Sequence, residues 1–165
     1  MVHVRIASLS VDSVSNQPVI ILRAIEDPSG LDRVLPIWIG NAEATAILLA
    51  LQGVEPPRPM THDLLASVIT SLDAIVSRIE ITRVSEGTFY AAVILRAEER
   101  GVVIDARPSD SIALAIRTGS PIFVAEEVLD EAAVTAVEEA AIDEDAEVEQ
   151  FRDFLDHVDP ADFLS

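Results

Sequence analysis

The sequence predicts an α+β fold with a mixed sheet, and three observations carry that reading. Runs of β-branched residues at strand length recur along most of the chain. Three apolar segments of helical length are bounded by capping and breaking residues. The two kinds of element follow one another without strict β-α-β alternation, which favours a mixed over an all-parallel sheet. Half of the 165 residues are hydrophobic but only 4% are aromatic, so the core must be aliphatic.

Val2, Val4 and Ile6 share one strand face while Leu9 and Val11 fall on the other, so the first strand should carry a bulge near Ala7 to Leu9. Val19 to Ile25 is apolar on both faces except at Arg23, as in a central strand. The turn residues Asp27, Pro28, Ser29 and Gly30 send Arg33 to Ile39 back as its hairpin partner. Ala42 to Gln52 then reads as a buried helix closed by Gly53. After a proline-stiffened connector, Thr61 can cap a helix over His62 to Leu72. Its stripe Leu64, Leu65, Val68, Ile69 and Leu72 is expected to face the core.

Two strands follow, Ile75 to Val84, in which Ile75, Ile79 and Ile81 share a face, and Thr88 to Ala97, joined through Glu86 and Gly87. A third strand-like run, Val102 to Arg107, meets Pro108, Ser109 and Asp110, which open an apolar helix that Gly119 stops before Ile122 to Val124. Beyond it the sequence suggests a short helix, Glu126 to Ala133, and a helix-prone or mobile connector, Val134 to Asp145. Val148, Phe151, Leu155 and Val158 then mark one face of a last helix. The organisation expected is one domain over residues 2–132 and an acidic helical tail over residues 133–165.

Charge excludes several function classes. The net charge is -18, and all eleven basic residues are arginine. Glu126 to Ser165 carries 15 acids against Arg152 alone, so the first 125 residues are only mildly acidic, at net -4. Nucleic acid cannot be held by long-range attraction here; any contact has to be local and transient, through arginine or a bridging metal. The absence of cysteine removes disulfides and thiolate metal sites. No apolar run approaches the ~20 residues of a membrane span, and the N-terminus lacks a signal-peptide core; a soluble, cytoplasmic protein is expected. Phosphate loops, a nucleophile elbow and paired aromatic RNA-binding motifs are all missing from the sequence.

The candidate chemistry gathers where strand meets helix. Asp105 and Asp110 flank that junction with Arg107 between them. Hard divalent cations take oxygen ligands, often one or two carboxylates with water and phosphate completing the shell. The competing reading is structural: Asp110 favours the helix dipole and Asp105 pairs with Arg107 or Arg96. His62 is suited to moving a proton near neutral pH, although Thr61 and Asp63 beside it are explained by capping alone. Glu43, in the first turn of the buried helix, is either a dipole partner or a third acid for the same site.

The stretches LPIWIGNAEATAILLAL (35–51), RPMTHDLL (58–65) and DARPSDSIALAIRTGSPIFV (105–124) resemble the bifunctional nuclease family, in its order and spacing and over roughly residues 2–132. The resemblance implies a strongly curved, barrel-like mixed sheet, a homo-oligomer, and activity on DNA and RNA. It places Glu43, His62, Asp63, Asp105, Arg107 and Asp110 in the family blocks without settling their roles. The leading expectation is a phosphodiester nuclease assisted by Mg²⁺ or Mn²⁺, with Asp105, Asp110 and Glu43 on the metal, Arg107 on phosphate and His62 shuttling a proton. The alternative is a non-catalytic oligomeric interaction or regulatory module in which the same charges form an internal ion-pair network.

Overall fold

A computed structural model describes residues 1–13, 15–97 and 100–135. Strands β1 (Val2–Val11), β2 (Pro18–Ala24) and β3 (Arg33–Trp38) lead into helices α1 (Asn41–Leu51) and α2 (Thr61–Ser71). Next come β4 (Ala74–Ser85), β5 (Thr88–Ala97), β6 (Arg100–Ala106), α3 (Pro108–Thr118), β7 (Ile122–Val124), α4 (Glu126–Ala132) and β8 (Val134–Thr135). The strands form one mixed sheet in the order β6-β5-β4-β7-β1-β2-β3-β8. β7 lies parallel to β4 and antiparallel to β1, so the crossover through α3 is what joins the two antiparallel halves. Because β6 and β8 end the order as separate edges, the sheet is open, and the closure suggested by a barrel does not occur among the described residues.

Strand pleating sorts the side chains. Val2, Val4, Ile20, Leu22, Ile79, Ile81 and Val93 point to one face, where α3 (Ile112 to Ala115), Ile47 of α1 and Val128 and Leu129 of α4 complete the main aliphatic core. Val19, Ile21 and Val34 form a second, smaller buried cluster on the alternate residues of β2 and β3. Ile20, Leu22, Ile47, Ile79, Ile112 and Leu114 are fully buried, each contributing about 1.5–3 kcal/mol by burial. α3 is the central helix. Pro108 occupies its first turn, and Gly119 ends it at φ 65°, a left-handed conformation costly for any residue with a Cβ. The expected bulge in β1 is present as a register shift between Ile6 and Ser8.

α2 is rotated away from the expected orientation. Leu64, Leu65, Val68 and Leu72 are 57, 41, 45 and 72% exposed, while His62 and Ile69 are buried and Ala66 packs against the core. The inward line is therefore His62, Ala66, Ile69, spaced i, i+4, i+7. Two polar contacts described below, His62–Asp110 and Asp63–Arg117, join the first turn of this helix to α3 on that inward side. Thr61 is not the cap either. The N-cap is Met60, whose backbone N–H donates to Asp63 Oδ2 at 2.9 Å.

Ile75 is half exposed because β4 changes register between Val76 and Arg78, a shift that strict alternation does not anticipate. Val134 and Thr135, expected in a connector, add β8 to the edge of β3. The expected tail helix at Val148 to Val158 lies outside the described residues. No described helix is long and apolar enough to cross a membrane.

Candidate functional site

Three helices begin at one place. Glu43 lies in the first turn of α1, His62 in that of α2 and Asp110 in that of α3, and the side chain that joins them is Arg107, the N-cap residue of α3. Arg107 Nε donates to Asp110 Oδ2 at 2.7 Å, and its Nη2 donates to Glu43 Oε1 at 2.7 Å and to Asp110 Oδ1 at 3.1 Å. His62 Nε2 stands 3.1 Å from the same Asp110 Oδ1. The result is a continuous chain, imidazole to carboxylate to guanidinium to carboxylate. Local chemistry explains why the acids sit where they do, since first-turn carboxylates favour the positive end of a helix dipole.

Exposure separates the members of this chain. The His62 side chain is 10% exposed and that of Glu43 18%, whereas Asp110 is 32% and Arg107 66% exposed. Arg107 is thus the group that solvent or a ligand meets first. Burial pushes the Asp110 carboxyl up, but hydrogen bonds from Arg107 and His62 outweigh it and hold the group below its ordinary range. The guanidinium is shifted upward by its hydrogen bonds to Asp110 and Glu43, so it stays charged at any working pH.

His62, Arg107 and Asp110 open on a cavity of about 740 Å³ walled by apolar residues that include Leu65, Ile69, Val93 and Leu114. That volume lies in the range of small-ligand pockets. Asp105 borders the same cavity but stands apart from the cluster. In β6 it pairs with Ala92, whereas Ile104 pairs with the core residue Val93, so the pleat turns Asp105 to the opposite face of the sheet. Its side chain makes no hydrogen bond or ion pair among the described residues; the expected partners Arg107 and Arg96 do not engage it. The fold brings together Glu43, His62, Arg107 and Asp110 and leaves Asp105 aside.

One contributor escaped the sequence reading. Arg117, in the last turn of α3, is 10% exposed and donates its Nε to Asp63 Oδ1, its Nη1 to Ala113 O at 2.9 Å and its Nη2 to Ala46 O at 3.1 Å. A single guanidinium therefore ties α1, α2 and α3 together immediately beside His62. Burial raises the Asp63 carboxyl, and the hydrogen bonds from Arg117 and from Met60 N–H more than reverse that. The only local signal was an arginine in the last turn of an apolar helix, which usually reads as a dipole partner.

The comparisons with known proteins bear on what this geometry serves. The family model described as the bifunctional nuclease domain matches residues 20–137, which include the whole of the cluster. The chain belongs to the bifunctional nuclease domain family. A protein of Mycobacterium tuberculosis strain H37Rv, named only as uncharacterised, is 47% identical over 99% of this chain and 98% of its own length. Bifunctional nuclease 1 of Oryza sativa subsp. indica is 29% identical over 58% of this chain and 30% of its own length. Bifunctional nuclease 2 of Oryza sativa subsp. japonica is 27% identical over 74% of this chain and 38% of its own length.

Proposed function

We propose that this protein is a phosphodiester nuclease acting on DNA or RNA, and that the His62–Asp110–Arg107–Glu43 chain at the mouth of the cavity is its reaction centre. The observation that carries the reading is the pairing of a largely buried imidazole with a carboxylate, next to a guanidinium that is two-thirds exposed. With Nε2–H donated to Asp110, His62 keeps a lone pair on Nδ1 and can take a proton from an attacking water or return it to a leaving oxygen. Asp110 orients that ring. Arg107 offers guanidinium hydrogens to phosphate oxygens, a fork well matched to an oxyanion, and three helix N-termini add positive partial charge at the same point.

Charge balance is the argument for a divalent cation. Glu43 and Asp110 against Arg107 leave the cluster net negative while His62 is neutral, which disfavours a phosphodiester; one Mg²⁺ or Mn²⁺ makes it net positive. The donor set fits an ion that keeps much of its water. No three acids or histidines group as a metal cluster among the described residues, but two carboxylates converge, and their common partner Arg107 is exposed enough to turn toward phosphate. Glu43 and Asp110 would hold the ion, and Asp105 is assigned no ligand role. When bound, the cation supplies positive charge for that developing on the phosphate.

The test is turnover of labelled DNA and RNA oligonucleotides with Mg²⁺, Mn²⁺ or chelator, using wild type and the Asp105→Ala, Asp110→Ala and His62→Gln proteins purified identically. Chelator-sensitive activity lost in the His62 and Asp110 variants and kept in Asp105→Ala is the expected outcome. Equal activity in all preparations would assign it to a contaminant. The second reading, a non-catalytic module, is favoured by the ion pairs that Arg107 already makes with Asp110 and Glu43. It predicts no turnover under any condition, with a loss of stability on Arg107→Ala.

A further inference from the structure

The face of the sheet that carries no described helix has an unusual composition for so acidic a protein. Strand pairing places Arg5 beside Arg23, Glu80 between Phe123 and Ala92, Arg78 beside Ile94, Arg83 beside Tyr90 and Arg96 beside Ile75. All of these lie on the side away from the aliphatic core. Five of the eleven arginines therefore share one face, and the acids whose strand positions fall there are Glu80 and Asp105. Arg78 is paired with Glu80, and Arg23 with Asp32 in the following loop. Arg5, Arg83 and Arg96 form no ion pair with a carboxylate among the described residues.

Aromatic groups interleave with these charges. His3 and Phe123 stack with ring centroids 4.9 Å apart and planes 25° from parallel, and the Arg83 guanidinium lies 3.5 Å over the Tyr90 ring. Of the four aromatic residues Phe, Trp and Tyr in the described chain, Phe123 and Tyr90 fall on this stretch of sheet. The exposed members of the two pairs, His3 and Arg83, can carry the stack on to an unstacked base, while the remaining guanidinium hydrogens suit backbone phosphates.

We propose that this open face, centred on β1, β7, β4 and β5, is a docking platform for single-stranded nucleic acid. The net charge of -18 does not oppose it at working salt, because charges more than about 8 Å away are screened at physiological ionic strength and the strand senses the local arginines. A duplex is disfavoured because its bases are already stacked and its grooves do not present faces to a sheet. The platform borders β6, whose far end leads into Arg107, so a strand lying on it can continue over that edge to the cluster. The inference rests on the nuclease reading for the class of polymer, and on the face itself for where that polymer binds.

The test is fluorescence anisotropy of labelled single-stranded and duplex oligonucleotides on the full chain, in chelator so that binding is read without turnover. Wild type is expected to bind the single strand more tightly than the duplex, with a salt slope of about -2, as roughly three phosphate contacts give. The combined variant Arg5→Gln, Arg83→Gln, Arg96→Gln should bind at least tenfold more weakly with a shallower slope. Phe123→Leu should weaken the single strand alone. None of these arginines forms a salt bridge with a described carboxylate, Arg5 acting on Asp32 only at a distance, and melting temperature checks that the variant remains folded. Equal binding by wild type and the triple variant overturns the platform even if the protein is a nuclease. Binding lost in the triple variant, in a protein that never cleaves, keeps the platform and overturns the reaction centre instead. Failure of the single strand to bind, with a peptide of residues 136–165 binding wild type but not the triple variant, assigns the face to the chain's own acidic segment and overturns the proposal.

Discussion

Two arginine networks in this molecule use the same groups and come to opposite ends. Arg33 donates Nε to Asp27 Oδ2 at 3.0 Å, Nη2 to Asp27 Oδ1 at 2.9 Å and Nη1 to Asp130 Oδ1 at 2.5 Å, closing the β2–β3 turn against α4. Arg107 likewise bridges two acids, Asp110 and Glu43. The Arg33 and Asp27 side chains are 7 and 6% exposed, whereas Arg107 is 66% exposed. A buried bidentate pair has no exchange partner but its own carboxylates, so it acts as a clasp. An exposed one trades its partners for water, cation or phosphate at small cost, so it can act as a site. Burial, not residue type, separates the clasp from the proposed site.

Removing each arginine probes that difference most directly. Arg33→Ala leaves the nearly buried Asp27 carboxylate without its counter-charge, though Ser29 and the backbone N–H of residue 33 still donate to it, and should cost about 3 kcal/mol of stability, read as a lower urea midpoint. Arg107→Ala should cost less than about 1 kcal/mol of stability while lowering nuclease turnover about 100-fold, measured on the same preparations. If the two variants lose similar stability, the distinction between clasp and site fails.

Acid sharpens the contrast. Hydrogen bonding from Arg33 holds the Asp27 carboxyl far below the usual carboxylate range despite its burial. A depressed carboxylate stabilises the fold above its unfolded value, near 3.9, and that contribution is lost as pH falls through the folded value. Urea midpoints should therefore be level above pH 5 and fall progressively below about pH 4. Asp27→Asn should be less stable at neutral pH and show a shallower acid limb. The Arg23–Asp32 pair, with side chains 39 and 52% exposed, sets the lower end of the scale. Asp32→Asn keeps a residue type that tolerates the positive φ of that position, and its urea midpoint should be indistinguishable from wild type.

How far the site could be read in advance depended on the kind of contact. Helix first turns single out Glu43, His62 and Asp110 as candidates, and the charged strand-to-helix junction singles out Arg107, because capping and dipole chemistry acts within one turn of backbone. Asp105 was grouped with them on sequence proximity, yet each step along a strand reverses the face, and β6 sets Asp105 away from the helices. The orientation of α2 departs from its apolar stripe for a related reason. Its stripe of Leu and Val is larger than the line His62, Ala66, Ile69, but a helix turns toward whatever neighbours anchor it, and Asp63–Arg117 and His62–Asp110 both lie on the smaller side.

The amino-acid order by itself determined the succession of strands and helices from β1 to α4, the aliphatic character of the core, the bulge in β1 and the crossover helix bounded by Pro108 and Gly119. These follow from φ preferences, pleat period and capping, which act over a few residues. Only the tertiary structure decided which charges meet. Arg107 reaches Glu43 across 64 positions, Arg117 reaches Asp63 across 54 and Arg33 reaches Asp130 across 97. It also gathered the scattered arginines of four strands onto one sheet face. Such meetings depend on register and helix rotation summed over the whole chain, and no local rule encodes that sum.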